Sequence, residues 1–550
     1  MLAVACLAVA ASVVGLFNDF ANDDVELIVR NTRIHDLGQW MTWFSKPFWP
    51  PPFSEDLYRP LTSAVLAIEY AIGGDSPVMF RIASYVFYAI SAVLVYRLAR
   101  RRLDPPFAFG AAALFAVHPV HVEAIALGVG QAEILVGIFS TFAIIAYVDA
   151  RGRGALPRPR WLLVGAAYVA AILAKEQGYV LVGLLVAAEC ILFDAKIRDH
   201  VRGLAGVPAL CAIAALLLTV RHHVLGSLAG TFTAEALVGA NWQVRLLTAL
   251  ALVPEWLRLL FWPAHLRSDY SPQELVASTH VGAAEVAGLI LVVAAVASAW
   301  HLRKKAPMYT FGVAWTAIAL VPVSNVLILT GILLAERTLF LPSIGAMLAV
   351  GALAQFVNGR FPSRDMQQGL VAASAMLVVL GLARSAERQH VWRRDAIVVA
   401  RSSKDAPKSF RVQRALGDLM FEIGQPQLAT EAYTRALAYV PEFSRWRVRN
   451  NYARTLARAG RHAEAISQFT ASLAQNPDQE YVRGELLATE LLTGRYAAAS
   501  AQADTAIARG GNRTAFAGLK ALADSAARVG APEGTIRVGL ERAALHNTAR

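Results

Sequence analysis

Cysteine is scarce in this sequence. Only three cysteines occur among the 550 residues, and Cys6, Cys190 and Cys211 each lie inside an apolar run, far from one another. This spacing excludes both a disulfide framework and a metal site built from clustered cysteines. Cysteine usage therefore gives no information about the redox compartment.

Charged residues are scarce as well. They make up 17% of the chain, against 56% hydrophobic residues and a mean hydropathy of +0.45. A soluble chain of this length would form several domains, but this composition is typical of a polytopic membrane protein. The net charge of +12 falls largely in short loops between apolar runs. The positive-inside rule accounts for that excess without a nucleic-acid partner.

Apolar runs of about 20 residues are long enough to cross the hydrocarbon layer. The first run lacks the basic start and the cleavage site of a signal peptide, so we interpret it as a retained first span. The sequence predicts about eleven transmembrane helices: 1–17, 77–97, 107–126, 131–149, 161–174, 178–193, 203–221, 281–300, 308–330, 334–357 and 367–385.

The basic loops set the predicted orientation. They lie at 97–102, 151–160, 196–202, 303–305 and 360–364 and are expected in the cytoplasm. The acidic, aromatic-rich loop 18–76 then lies on the other side of the membrane. All basic loops fall on the same side only if the segment 241–262, which contains Pro254, does not cross the membrane. We therefore interpret this segment as a re-entrant or interfacial hairpin.

The sequence changes character after residue 385. We assign 1–385 to a transmembrane domain, 386–409 to a linker and 410–550 to an array of helical repeats. The repeat is carried by small residues at matching positions: Gly424, Ala429, Ala436 and Pro441, then Gly460, Ala465, Ser472 and Pro477, then Gly494, Ala499, Ala506 and Gly511. About three tetratricopeptide-like units are expected, with 512–550 as a weak fourth unit or a capping helix. The predicted fold is therefore all-α: a polytopic membrane domain followed by an α-solenoid.

Ionisable and polar residues cluster at the predicted non-cytoplasmic ends of the spans, where burial is costly. They are Asp23, Asp24, Tyr58, Arg59, His118, His121, Glu123, Glu133, Lys175, Glu176, Glu336 and Arg337. A cavity lined by acids and bases at one membrane face suits a substrate with an anionic head and an apolar tail. Arginine binds phosphate through two hydrogen bonds, and a carboxylate can accept a proton from an attacking hydroxyl.

Each of these groups also has a structural interpretation. The two aspartates are compatible with a capped helix end. His118, His121 and Glu123 form either a metal pair or, as we favour, a hydrogen-bonded turn. Lys175 with Glu176, and Glu336 with Arg337, are alternatively mutual ion pairs. No metal site is assigned, and a divalent metal stays an open alternative.

Six stretches, in order, resemble one family: NDDVELIVRN, LYRPLT, FAVHPVHVEAIALGVGQAEIL, AKEQGYVL, LRSDYSP and AERTLFLPSIG, followed by the repeats. Together they resemble the transmembrane and tetratricopeptide-repeat O-mannosyltransferases and their bacterial relatives, which are C-type glycosyltransferases that use lipid-linked sugars. The chain departs from the family at 128–131, where relatives more often have a tryptophan and an arginine.

The resemblance implies an inverting transfer of a sugar, mannose in this family, from a polyprenyl or dolichyl phosphate to a protein Ser/Thr hydroxyl outside the cytoplasm. It implies that Asp23 or Asp24 supplies the catalytic carboxylate. From charge and position we infer that Arg337, helped by Lys175 or Arg59, contacts the lipid phosphate.

The repeats are then expected to hold the acceptor polypeptide. The composition favours a bacterial inner membrane with periplasmic repeats, or, in a eukaryote, an endoplasmic reticulum membrane with lumenal repeats. The alternatives are transfer to a glycolipid or surface polysaccharide, and a non-catalytic membrane-anchored scaffold.

Overall fold

The computed structural model describes residues 1–51, 56–154, 157–228, 233–271, 273–530 and 536–538. This part of the chain contains helices and turns and no β-strand, as the composition predicted. It divides into two compact units. Unit 1 comprises Met1–Tyr270 and Leu275–Arg401, and unit 2 comprises Ser271–Glu274 and the chain from Ser402 onward. The division falls near the end of the segment 386–409, which the sequence analysis assigned to a linker.

Unit 1 is a bundle of helices that we number in chain order. They are α1 Leu2–Ser12, α2 Trp40–Ser45, α3 Pro60–Gly73, α4 Pro77–Ala99, α5 Pro105–Ala116, α6 Val122–Ala126, α7 Gln131–Arg151, α8 Arg158–Ala174, α9 Leu181–Leu192, α10 Ile197–Gly203, α11 Val207–Leu225, α12 Trp242–Phe261, α13 Ala283–Leu302, α14 Pro307–Leu320, α15 Phe340–Arg360, α16 Arg364–Val391 and α17 Asp395–Asp405. Many of these helices have a proline in the first turn, where a backbone N–H would have no partner within the helix, so proline causes no loss of a hydrogen bond.

Six segments of unit 1 are long and apolar enough to cross a membrane: Pro77–Ala99, Gln131–Arg151, Val207–Leu225, Ala283–Leu302, Glu336–Arg360 and Arg364–Val391. The pair Pro105–Ala116 and Pro119–Ala126 passes the same test together but is bent by 42°. Shorter apolar helices occupy three further predicted spans or loops, at Leu2–Gly15, Pro60–Gly73 and Pro307–Val323. The integral membrane character predicted from composition is thus confirmed.

Side-chain contacts join many helix ends of unit 1 into two groups. At one group lie the basic loops, and ion pairs join them: Arg101 pairs with Asp149 at 2.6 Å, and Glu189 pairs with Arg151 at 3.0 Å. The opposite ends, which we call the polar end of unit 1, are where α4 and α7 begin and α8 finishes. The buried polar residues predicted from the sequence lie there.

The segment 241–262 differs from the expectation. It forms one helix, α12, with Pro254 inside it, so the predicted hairpin is wrong. Leu252 and Trp256, on either side of Pro254, are buried, and the helix continues although the proline cannot donate one backbone hydrogen bond. Both ends of α12 contact residues of the polar end: Arg245 donates to the Asn325 carbonyl, and the Leu260 carbonyl contacts His118.

Helices α14 and α15 approach each other through two glycines. A Cβ added at Gly345 would lie 2.5 Å from the Gly312 carbonyl oxygen and 2.7 Å from the Thr316 nitrogen, and a Cβ at Gly312 would meet the Gly345 carbonyl at 2.5 Å. Small residues at such crossings let the backbones of membrane helices come into contact. This contact fixes the start of α15, which carries part of the polar end.

Unit 2 consists of paired helices: α18 Phe410–Glu422, α19 Pro426–Tyr439, α20 Arg445–Arg458, α21 His462–Gln475, α22 Glu480–Leu492, α23 Tyr496–Ala508 and α24 Arg513–Val529. The glycines of the predicted repeat, Gly424, Gly460 and Gly494, all have φ of +75° in the turn within each pair. The alanines five residues later, Ala429, Ala465 and Ala499, are fully buried where the helices pack. The predicted repeat is confirmed.

Replacing Gly345 by Ala should destabilise the chain by roughly 1–3 kcal/mol, because the new methyl group has no space between α14 and α15. Gly359→Ala, on the same helix but with no atom within 4 Å of the added Cβ, should be neutral or stabilise by up to about 1 kcal/mol. Thermal unfolding of the purified chain in detergent measures both. Equal midpoints for the two variants would contradict this packing.

Candidate functional site

Three charged side chains meet at the polar end of unit 1. The Arg337 guanidinium lies 3.3 Å from the Asp23 carboxylate and 3.2 Å from the Glu123 carboxylate. Glu123 also accepts a hydrogen bond from the Arg337 backbone N–H at 2.9 Å. Glu123 is buried, whereas the side chains of Asp23 and Arg337 remain about one quarter exposed. The acidic first loop and the turn before α15 therefore meet, as predicted from residues more than 300 positions apart.

Asp24 is in a different environment from its neighbour. It is fully buried, and its two oxygens accept hydrogen bonds from the backbone N–H groups of Gly128 and Val129, at 2.9 and 3.0 Å. Arg81, also fully buried, lies 3.4 Å from the same carboxylate. We call these four residues the Asp24 clamp. Burial raises the pKa of Asp24, and the Arg81 charge and the two N–H groups oppose that shift.

A second charged group involves the break between α8 and α9. Glu176 accepts from Arg59 at 3.0 Å and from Arg221 at 2.9 Å. Although burial disfavours its charged form, the two guanidinium groups hold the pKa of Glu176 well below its usual range. Two arginines share one carboxylate here, so the group carries an excess positive charge. We call it the Arg59–Glu176–Arg221 group.

The neighbouring residue, Lys175, pairs with Glu133 at the start of α7 rather than with Glu176. This pair lies within electrostatic range of Arg337. The alternative interpretation of a mutual Lys175–Glu176 ion pair is wrong, because backbone geometry at the helix break turns the two side chains towards different partners.

Glu336 also does not pair with its neighbour Arg337. It is fully buried and accepts hydrogen bonds from the Tyr270 hydroxyl at 3.1 Å and from the Arg267 backbone N–H, with Arg388 3.4 Å away. It therefore connects the start of α15 to the end of α16 and to the loop after α12. The interpretation of Glu336 and Arg337 as a mutual ion pair is therefore wrong, because the two side chains point to different partners.

The predicted histidines lie in the core. His118 contacts the Leu260 carbonyl at 2.9 Å and accepts from the Val120 N–H, which forms the turn between α5 and α6. His121 hydrogen-bonds with Tyr88 and Ser343, at 2.9 and 2.7 Å. This agrees with the structural turn that the sequence analysis favoured. Within the described ranges, no three His, Cys, Asp or Glu side chains are grouped as metal ligands would be.

Tyr58 has a local role in the described structure. Its hydroxyl donates to the Phe44 carbonyl at 3.0 Å and so holds the first loop to itself. Arg59, the next residue, stacks over the Phe48 ring at 5.5 Å while it contacts Glu176. The aromatic residues of the loop thus support the position of Arg59.

Sequence reasoning missed three residues of the site. Arg81 and Arg221 each lie within a predicted span, where an arginine is a signal for a buried partner. Gln131 donates to Glu69, to the Phe80 carbonyl and to Ser84 in the interior. The stretch 128–131 departs from the family pattern, and its backbone N–H groups at Gly128 and Val129 bind Asp24, a contact that only the fold brings together.

The chain is similar to known proteins over both units. The family described as dolichyl-phosphate-mannose-protein mannosyltransferase matches residues 52–224, and the tetratricopeptide repeat family matches residues 456–523. The predicted resemblance and the repeat assignment are confirmed.

Curated relatives include the protein O-mannosyl-transferase F38B6.6 of Caenorhabditis elegans, 24% identical over 440 residues, which cover 78% of this chain and 61% of the relative. Human protein O-mannosyl-transferase TMTC4 is 26% identical over 475 residues, covering 76% of this chain and 63% of the relative. Drosophila melanogaster Tmtc2 is 30% identical over 279 residues, which cover 46% of this chain and 29% of the relative. The chain thus spans less than two thirds of the length of each of these relatives.

Among solved structures, an archaeal oligosaccharyltransferase AglB from Archaeoglobus fulgidus is similar, with a TM-score of 0.42 and 12% identity over 80% of this chain and 59% of that chain. That structure is a complex with an inhibitory peptide and a dolichol-phosphate.

Replacing Asp24 by Asn should lower the stability of the chain by roughly 3–5 kcal/mol, because it leaves the buried Arg81 charge without a counterion. Asp23→Asn, whose partner Arg337 keeps Glu123, should change stability far less. Thermal unfolding in detergent separates the two, and the double variant Asp24→Asn with Arg81→Gln should recover part of the loss. Equal destabilisation by Asp23→Asn and Asp24→Asn would contradict the difference in their environments.

Proposed function

We propose that this chain is an inverting glycosyltransferase that transfers a sugar, mannose by the relatives' names, from a polyprenyl or dolichyl phosphate to a Ser/Thr hydroxyl of a protein. The matches to protein O-mannosyl-transferases support this activity. One observation carries it: a partly exposed carboxylate, Asp23, is held by an arginine at the polar end of a membrane bundle.

Asp23 is the residue that we propose as the general base. One of its oxygens contacts Arg337, and the other accepts no hydrogen bond from a described residue, so it is open to an acceptor hydroxyl. The oxygens of Asp24 are already occupied in the Asp24 clamp. In the reaction the hydroxyl oxygen forms a bond to the anomeric carbon, its proton moves to Asp23, and the bond to the phosphate oxygen breaks with its electron pair.

The charge balance supports a different phosphate contact from the one predicted. Arg337 faces two carboxylates, Asp23 and Glu123, so these three groups together carry a net negative charge. The Arg59–Glu176–Arg221 group carries the opposite excess. We therefore propose that this group, with Lys175 nearby, stabilises the lipid phosphate as it departs, and that Arg337 orients Asp23.

The position of the basic loops supports an extracytoplasmic reaction. The basic loops lie at the ends of the bundle opposite the polar end, and short basic loops remain in the cytoplasm. The polar end would then open to the periplasm of a bacterium or to the lumen of the endoplasmic reticulum. The repeats of unit 2 would hold the acceptor polypeptide, because stacked helix pairs of this kind offer an extended binding surface.

Replacing Asp23 by Asn should reduce the rate of transfer by a factor of about 100 to 10,000, since Asn cannot accept the proton. The assay supplies membranes with radiolabelled lipid-phosphate mannose and a Ser/Thr-rich acceptor peptide. Asp19→Asn is the matched control, an exposed acid of the same loop outside the cluster, and should keep normal activity. Undiminished transfer by the folded Asp23→Asn variant would end the assignment.

Replacing Arg221 by Gln should raise the KM for the lipid donor by roughly 10-fold to 100-fold. This factor corresponds to the usual free energy of a hydrogen bond to a charged group. The KM for the acceptor should stay the same. Arg245→Gln is the control, because Arg245 lies at the same end but donates to a backbone carbonyl. If both variants change the donor KM equally, the phosphate contact is wrong.

A further inference from the structure

Helix α20 of unit 2 is unusually basic. Its 14 residues include five arginines and no acid. Three of them, Arg447, Arg454 and Arg458, are spaced i, i+7 and i+11, which places them on one face of the helix. We call this set the arginine stripe.

Each arginine of the stripe stacks on an aromatic ring. Arg447 lies over Trp446 at 4.9 Å, Arg454 lies over Tyr481 at 5.6 Å, and Arg458 lies over Phe421 at 4.9 Å. The aromatic partners come from α18, α20 and α22, the first helices of three successive repeats. The stripe therefore crosses a surface that three repeats build together, and stacking holds the planar guanidinium groups in place.

The three stripe arginines lack acidic partners, unlike several other arginines of unit 2. None of the three has a carboxylate within 4.0 Å among the described residues, whereas Arg461 pairs with Glu464 and Arg509 pairs with Asp478. Three unpaired cations on one surface favour an anionic ligand.

Two acids of the neighbouring first helices accept hydrogen bonds from uncharged groups. Asp418 accepts hydrogen bonds from Tyr433 and from the Asn451 side-chain amide, and Glu485 accepts from the Tyr481 hydroxyl. Tyr481 itself is 60% exposed. Neither acid forms an ion pair with a stripe arginine among the described residues, so the three arginines keep a positive excess over these two carboxylates, with an accessible ring beside them.

We propose that the arginine stripe binds an acidic segment of an extended polypeptide. Neighbouring helices pack 8–10 Å apart, so three first helices span roughly 20 Å, the length of about six extended residues. Arginine forks match carboxylates through paired hydrogen bonds. The side-chain amide of Asn451, on the same face of α20, donates to Asp418; its Oδ1, which accepts no hydrogen bond from a described residue, can accept one from a peptide N–H. This inference deepens the proposed function by giving the acceptor a chemical class.

The test is fluorescence anisotropy of a labelled 12-residue peptide of alternating Glu and Ala, titrated with the full chain in detergent and without sugar donor. We expect the acidic peptide to bind at least 10-fold more tightly than a Gln/Ala peptide of the same length. The triple variant Arg447→Gln, Arg454→Gln, Arg458→Gln should weaken binding of the acidic peptide by at least 10-fold.

The matched control removes the same charge elsewhere. Arg461, Arg495 and Arg528 are exposed in unit 2 and lie outside the stripe; changing all three to Gln should alter binding less than twofold. Equal losses in the two triple variants, equal binding of the acidic and neutral peptides, or tighter binding of a single-stranded oligonucleotide of equal charge would each overturn the proposal.

Binding and transfer can fail separately. The binding assay needs no donor, so a chain without transferase activity can still bind the acidic peptide. Conversely, Asp23→Asn should bind the peptide normally. With the arginine stripe intact or removed, transfer to a short neutral Ser/Thr peptide should proceed at the same rate, whereas transfer to an acidic acceptor should fall only when the stripe is removed.

Discussion

The Asp24 clamp is the contact on which the arrangement of the site depends. A single buried carboxylate satisfies two backbone N–H groups of the turn at Gly128 and Val129 and neutralises a buried arginine at the start of α4. These groups come from three separate segments of the chain, and each would be costly to bury alone. Once Asp24 is fixed in this way, the adjacent Asp23 is directed towards the turn before α15, where Arg337 lies. The buried Asp24 thus positions Asp23, the base that we propose.

The charged groups of the polar end are unequally paired, and this inequality separates two tasks. One arginine, Arg337, faces two carboxylates, whereas one carboxylate, Glu176, faces two arginines. A negative surplus attracts the proton that leaves an acceptor hydroxyl, and a positive surplus stabilises a departing phosphate. In unit 2 the same reasoning applies at the arginine stripe, where cations without acidic partners suit an acidic polypeptide.

The sequence predicted the features that follow from local pattern. Gly424, Gly460 and Gly494 could be recognised because the turn within each helix pair requires a positive φ. The contact between Asp23 and Arg337 was predicted from the number of spans, which places both residues on the same side of the membrane. The individual ion pairs could not be predicted, because they depend on the rotation of each helix about its axis: adjacent residues such as Lys175 and Glu176 point to different partners. The continuous α12 was missed because Pro254 normally indicates a break.

The most direct test of the central claim is a cryo-electron microscopy structure of the full chain with a non-transferable lipid-phosphonate sugar and a Ser-containing acceptor peptide. The account predicts that the serine oxygen lies about 2.6–3.2 Å from the Asp23 carboxylate, with the phosphonate beside Arg59 and Arg221. A sugar bound elsewhere in the bundle, with the acceptor hydroxyl out of reach of Asp23, would contradict it.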